Sequence, residues 1–99
     1  MAMTLPVSVK RTKYLDFILV RIGAKTSQWE VRSLNRPGEV LGDIRWYAQW
    51  RQYTFWPRPR TLFNSECMND ITWFLLGTMD EWRERNKRAK KLRSQGVLR

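Results

Sequence analysis

Alternating apolar residues between Leu41 and Pro57 constrain the fold of this chain more than any other feature. The stretch reads LGDIRWYAQWRQYTFWP and contains six of the 13 aromatic residues. Ile44 and Trp46 lie two positions apart with polar residues beside them, and the alternation resumes at Tyr53 and Phe55. A period of two residues is typical of a strand with one buried face. The stretch therefore predicts a β-hairpin that ends at Pro57, since Pro cannot donate to a ladder.

Two upstream segments predict further strands of the same sheet. The segment Tyr14–Ile22 is rich in β-branched and aromatic residues, and apolar residues alternate with polar ones in Ser27–Leu34. In Arg36–Glu39, Pro and Gly hold the central positions of a type II turn, which joins the second strand to the hairpin. The alternation assigns two faces to the first strand: Ile18, Val20 and Ile22 on one, and Phe17, Leu19 and Arg21 on the other.

The C-terminal third predicts one long helix. Asn64 or Ser65 can cap its start, Glu66 lies in the first turn, and helical pattern continues to about Arg93. The predicted fold is α+β, a four-stranded antiparallel β-meander packed against one long C-terminal helix. The chain then divides into a basic N-terminal arm (1–13) that is loose or pairs at a sheet edge, a ββββα domain (14–82) and a basic C-terminal extension (83–99). The stripe expected to pack on the sheet is Met68, Ile71, Leu75, Met79 and Trp82.

Charge and composition restrict the classes of function. The chain carries a net charge of +10, which attracts nucleic acid, an anionic membrane surface or an acidic protein patch. It has no His and one Cys, Cys67, which we expect to be a small buried hydrophobe, so the sequence predicts no enzyme, no metal site and no cofactor. No segment resembles a signal peptide or a membrane span, and we expect a cytoplasmic protein without membrane contact.

The first candidate site is the sheet face opposite the helix. Arginines can contact phosphates and aromatic rings can stack bases, a combination suited to single-stranded nucleic acid. The alternative is a solvated outer face with cross-strand ion pairs, such as Glu30 with an Arg. The alternation places five candidates on this face: Arg21, Arg32, Arg45, Tyr47 and Trp56.

Two loops and the C-terminal extension supply further cations. Arg51 lies at the hairpin turn, and Arg58 and Arg60 flank a Pro before the helix, either as anion contacts or as an ordinary soluble loop. The extension either binds polyanion through its charge alone or is a solvated helix end. Its candidate binding residues are Arg85, Lys87, Arg88, Lys90 and Lys91.

Trp73 and Gly77 lie one helical turn apart, near the side opposite the predicted stripe. An exposed Trp beside a helix-interior Gly favours close packing of a dimer or partner, because Trp is enriched in interface cores. A Trp shielded by its neighbours at a flexible position is the alternative.

The order of elements, with Asp43-Ile44-Arg45 and Asn64, resembles the positive cofactor four family of coactivators. That resemblance implies a basic homodimer that binds single-stranded DNA. The aromatic core WYxxWRxYxFxP from Trp46 to Pro57 also resembles small uncharacterised bacteriophage and prophage proteins, and implies a bacterial host cell and a host target.

These observations predict a non-enzymatic protein that binds nucleic acid, single-stranded rather than duplex, and that forms a homodimer. The alternative is a phage-encoded inhibitor or adaptor that binds a host protein or defence complex. A third hypothesis is a structural component of the virion.

Overall fold

Antiparallel strands in the order of the chain form one sheet in the computed structural model, which describes residues 4–94. The predicted α+β class, with an antiparallel sheet and one C-terminal helix, is confirmed. The predicted number of four strands is wrong, because the described chain contains five. The elements are β1 (Val7–Arg11), β2 (Leu15–Ile22), β3 (Ser27–Ser33), β4 (Val40–Tyr47), β5 (Gln52–Pro57) and α1 (Ser65–Ser94).

The additional strand, β1, pairs with β2 at one edge of the sheet, from Val7 opposite Leu19 to Arg11 opposite Asp16. Its sequence VSVKR offers only two apolar residues in alternation, too few to distinguish a strand from a basic arm. An edge strand needs only one partner, so the ladder to β2 suffices to hold it. This strand also departs from the four-stranded order that the coactivator resemblance implied.

The turns follow local sequence chemistry. Gly38 has a φ of 91°, and the Glu39 N–H donates to the Arg36 carbonyl at 3.0 Å, as a type II turn requires. Between β4 and β5, the Trp50 and Arg51 N–H groups donate to carbonyls three residues earlier, and Arg51 adopts a φ of 53°. The predicted turn and hairpin are therefore both present.

One face of β2 was predicted wrongly. Phe17 and Leu19 were expected beside Arg21, but both are buried, and the Phe17 ring stacks on Phe74 of the helix at 4.3 Å. The register shifts between Leu19 and Arg21, so Val20 is an extra residue. Such a bulge reverses the side on which later residues lie, and Arg21 therefore faces away from Phe17. Alternation read from the sequence alone does not contain this shift.

Asn64 caps the helix, because its Oδ1 accepts a hydrogen bond of 2.8 Å from the Cys67 N–H. The buried stripe is rotated from the predicted one: Met68 is 53% exposed, whereas Cys67 is buried. Met68 was therefore wrongly assigned to the core, and the helix contacts the sheet through a neighbouring line of residues. The helical side chains that are buried or packed on the core are Cys67, Ile71, Phe74, Leu75, Met79 and Trp82.

The core lies between the helix and one face of the sheet. Its fully buried side chains are Leu15, Phe17, Val31 and Ile44, and the Tyr53 hydroxyl accepts a hydrogen bond from the Ser27 N–H at 3.1 Å. Aromatic rings continue the layer in edge contacts of 5.3–5.5 Å between ring centroids. These rings belong to Trp29, Trp46, Tyr53, Phe55, Phe63 and Phe74.

The helix is longer than the sheet it covers. Thirty residues of α1 span about 45 Å at 1.5 Å each, whereas eight-residue strands span about 26 Å. Helical residues after Trp82 therefore extend beyond the paired residues of the strands and lie alongside the turns at one end of the sheet. The described part of the chain has no helix with the length and apolar character needed to cross a bilayer.

Candidate nucleic-acid interface

The ladders determine which predicted residues share the face opposite the helix. Residues that pair across antiparallel strands lie on the same face. Arg21 pairs with Gln28, Arg45 with Thr54, and Asp43 with Trp56, and all of these lie on the side away from the core. The structure thus brings together on one outer face the five predicted residues: Arg21, Arg32, Arg45, Tyr47 and Trp56.

At the β4–β5 end of this face lies the outer cluster, which we define as Arg45, Tyr47, Trp50 and Trp56. The Arg45 guanidinium stands 3.9 Å from the centre of the Trp56 ring, within the range of a cation–π contact. Tyr47 meets Trp50 and Trp56 edge to face, with centroids 5.0 Å and 5.8 Å apart. Trp50 is 66% exposed and Trp56 36%. The outer cluster therefore presents aromatic rings and a cation to solvent.

Side-chain hydrogen bonds hold the outer cluster in place. The Trp56 indole N–H donates to Thr54 Oγ1 at 2.8 Å, and the Tyr47 hydroxyl donates to Gln49 Oε1 at 2.6 Å. Within the described chain Arg45 forms no ion pair, so its guanidinium edge is available to an external acceptor. The rings and the guanidinium are thus positioned before any ligand binds.

A second part of the same face is different, and we call it the ion-paired region: Glu30, Arg32, Asp43 and Arg58. Arg21 belongs to neither part and forms no ion pair within the described chain. Arg32 donates to Glu30 Oε1 from two nitrogens, at 2.6 Å and 2.9 Å. Arg58 forks onto Asp43 at 2.9 Å and 3.2 Å, and these hydrogen bonds raise the pKa of Arg58 above its usual value. Both arginines therefore already have carboxylate partners, although the Glu30 pair runs along one strand rather than between strands.

The three arginines of the β4–β5 turn and of the connection to α1 have different surroundings. Arg51 closes the β4–β5 turn and points to the helix side, where it lines a groove. Arg60 is exposed in the connection to α1, with a φ of 61°. Of the three loop arginines, Arg58 alone contacts the outer face, through Asp43.

The helical extension divides its cations between two sides. Arg85 and Lys90 line a groove of about 730 Å³ between α1 and the turns at that end of the sheet. Lys87, Arg88 and Lys91 are exposed and lie outside the groove. Residues 95–99 of the predicted extension lie outside the described residues.

Trp73 and Gly77 lie on the exposed side of α1. Trp73 is 68% exposed, its neighbour Leu76 is 52% exposed, and the space around Gly77 is open. This side of the helix is far from the outer cluster, because α1 covers the opposite face of the sheet. The structure therefore separates the predicted partner surface from the predicted nucleic-acid surface.

Sequence reasoning missed two residues of these surfaces. The exposure of Trp50 could have been predicted from its position. A large ring in the turn of a hairpin lies beyond the sheet, has no core to pack against and therefore remains exposed. Lys25 lies in the β2–β3 turn and also lines the groove. Nothing local marks Lys25, since its place depends on where the distant helix passes. Among the described residues, no group of three or more acidic or Cys side chains forms a metal site.

Fold and site together define a class: a small basic protein whose five-stranded sheet carries one long helix on one face and an aromatic–arginine cluster on the other. The chain is similar to the uncharacterized 9.3 kDa protein of Acholeplasma phage L2, with 33% identity over 76 residues. The match covers 76% of this chain and 96% of the phage protein, so the chain belongs to the family of that phage protein. The predicted resemblance to small phage proteins is confirmed. No protein-family model and no solved structure matches the chain.

Proposed function

We propose that this chain is a non-enzymatic protein that binds single-stranded nucleic acid through the outer cluster. The observation that carries the proposal is the contact of Trp50, Tyr47 and Trp56 on a solvent-facing surface, with Arg45 stacked on the last of them. Exposed rings stack on unpaired bases with little regard to sequence, and an adjacent guanidinium can reach a phosphate. Bases within a duplex are already stacked and offer no free face to such rings.

The charge of the whole chain supports the same function. A net charge of +10 raises the local concentration of polyanion and speeds association. The exposed cations of the helical extension add to this field, and this contribution needs no defined contact. We therefore assign the cations of the extension that lie outside the groove, Lys87, Arg88 and Lys91, to general attraction, and the outer cluster to stacking.

The test compares two equally exposed tryptophans. Trp50→Ala should weaken binding of a labelled oligothymidylate by about 5- to 150-fold, since stacking contributes about 1 to 3 kcal/mol per base. Trp73→Ala is the matched control, because Trp73 is 68% exposed against 66% for Trp50 and lies on the helix instead. Fluorescence anisotropy at about 50 mM salt measures both, where electrostatic binding is strong.

Two outcomes would contradict the proposal. One is no binding of the oligonucleotide by the unmodified protein at low salt. The other is equal loss of binding in the two variants, which would show that the exposed ring of Trp50 contributes no specific contact to binding.

A competition experiment tests the preference for single strands. A duplex competitor of the same length should displace the oligonucleotide poorly.

A second candidate function, protein binding, is favoured by the exposed apolar side of α1. Trp73 and Leu76 are neighbours across one helical turn, and exposed apolar clusters of this kind are typical of protein contacts. A second copy of the chain or a host protein would fit this surface. Trp73→Glu should then abolish self-association or partner capture while oligonucleotide binding persists.

A further inference from the structure

The groove at the end of the sheet, which we call the cation groove, lies on the helix side of the molecule. Its walls are the β2–β3 turn, the β4–β5 turn and the part of α1 that extends past Trp82. The volume is about 730 Å³. It forms because the helix continues beyond the last paired residues of the strands and leaves a space beneath it.

Four cations from three separate elements line the cation groove: Lys25, Arg51, Arg85 and Lys90. No carboxylate lines it, and none of the four forms an ion pair within the described part of the chain. Elsewhere in the described chain, Arg32 and Arg58 each bind a carboxylate directly. Four uncompensated positive charges around one concave space favour an anionic occupant.

Aromatic rings form the floor of the cation groove. The rings of Trp46 and Trp82 pack at 4.7 Å between centroids with 33° between their planes, and both are half-buried. Ala24, Ala48 and Ala89 line the space around them, so no large side chain fills it. The floor can accept a planar group, while the rim can contact phosphates.

Backbone geometry joins the cation groove to the outer cluster. Trp50 and Arg51 are consecutive residues of the β4–β5 turn, yet Trp50 contacts Tyr47 on the outer face and Arg51 lines the groove. The positive φ of Arg51 reverses the chain between these two residues. The end of the hairpin is thus the place where two cationic, ring-bearing surfaces on opposite faces meet.

We propose that the cation groove is the second half of a single path, in which one strand of nucleic acid passes from the outer cluster round the β4–β5 turn and into the groove. This inference rests on the proposed function. Charge complementarity and continuity at Trp50 and Arg51 favour a single strand as the occupant. A duplex has a persistence length of about 50 nm and does not bend round the tip of one hairpin.

The experiment compares two double variants that remove the same charge. Lys25→Gln with Arg85→Gln changes the cation groove, and Lys87→Gln with Arg88→Gln removes two cations outside it. Binding of oligothymidylates of about 4 to 16 nucleotides, the range of one small binding domain, is measured against salt concentration. The four substituted side chains are all exposed, so the midpoint temperature of thermal unfolding should change little in either variant.

We expect the groove variant to reduce the salt slope by about 1.4 for long oligonucleotides, from two phosphates at about 0.7 each. Short oligonucleotides, which reach the outer cluster alone, should bind the groove variant and the unmodified protein alike. The control variant should change the slope less than the groove variant for long oligonucleotides, and should change it little for short ones.

Equal slopes for the groove and control variants at all lengths would overturn the second half of the path while leaving the outer cluster intact. Absence of binding by the unmodified protein would remove the proposed function and this inference together. The two failures are therefore distinguishable in one set of titrations.

Discussion

The outer cluster and the ion-paired region lie side by side on one face of the sheet, and both contain arginine, but only one of them offers it to a ligand. In the ion-paired region, Glu30 and Asp43 hold the guanidinium groups of Arg32 and Arg58 at hydrogen-bond distances. In the outer cluster, Arg45 rests on an aromatic ring, which attracts the cation without neutralising it. Basic composition therefore overstates the surface that can bind a phosphate.

The contrast also separates stability from function. A guanidinium that forks onto a carboxylate ties two segments of the chain together, as Arg58 ties the segment after β5 to Asp43 on β4. A guanidinium stacked on an exposed ring keeps its N–H groups directed at solvent. We expect the first kind to support the sheet and the second to support binding.

The largest effect should come from releasing the paired arginines. Glu30→Gln with Asp43→Asn removes both carboxylates and keeps their size, so Arg32 and Arg58 become available to phosphates. We expect the salt slope of oligonucleotide binding to steepen by about 1.4, corresponding to two more phosphates, with tighter binding at low salt. An unchanged slope would show that these arginines lie outside the path of the strand, and that pairing is not what withholds them.

A smaller effect should distinguish Arg45 from Arg32. Arg45→Gln removes an unpaired cation and should reduce the salt slope by about 0.7, or one phosphate. Arg32→Gln removes an equal charge from a pair and should leave the slope nearly unchanged. Titrations over about 50 to 200 mM salt measure both variants, and equal slopes for the two would contradict the division of the face.

The smallest effect should be on stability. Arg32→Gln leaves Glu30 without its partner, and partly exposed ion pairs contribute about 0.2 to 1 kcal/mol to the free energy of unfolding. The midpoint temperature of thermal unfolding should therefore fall by a few degrees at most in this variant. A greater stability in Arg32→Gln than in the unmodified protein would show that the pair is not a structural contact.

Local chemistry predicted most of the fold. The strands from β2 to β5, the turn at Gly38 and the cap at Asn64 each depend on residues near one another in sequence. The sequence left open whether the N-terminal arm is loose or pairs at a sheet edge, because pairing with β2 determines the short edge strand β1 more than its own pattern does. The exposure of Met68 was missed because a small rotation of a long helix decides which line of residues is buried.

The candidate site was less predictable from the sequence. Alternation grouped the outer residues, and Arg21 joins them only through the bulge at Val20. The neutralising contact of Asp43 with Arg58 spans 15 residues and depends on how the chain turns after β5. Partners of this kind are determined by tertiary structure. The number of arginines is evident from the sequence, but which of them form ion pairs with carboxylates within the protein is not.

The most direct test follows the indole N–H signals of the six tryptophans by two-dimensional NMR during titration with an oligothymidylate. The outer cluster should respond first, with shifts of the Trp50 and Trp56 signals, and longer oligonucleotides should also shift Trp46 and Trp82 on the floor of the cation groove. The Trp73 signal on the far side of the helix should stay in place. Shifts confined to Trp73, or no shift at Trp50 and Trp56, would contradict a nucleic-acid site on the outer face of the hairpin.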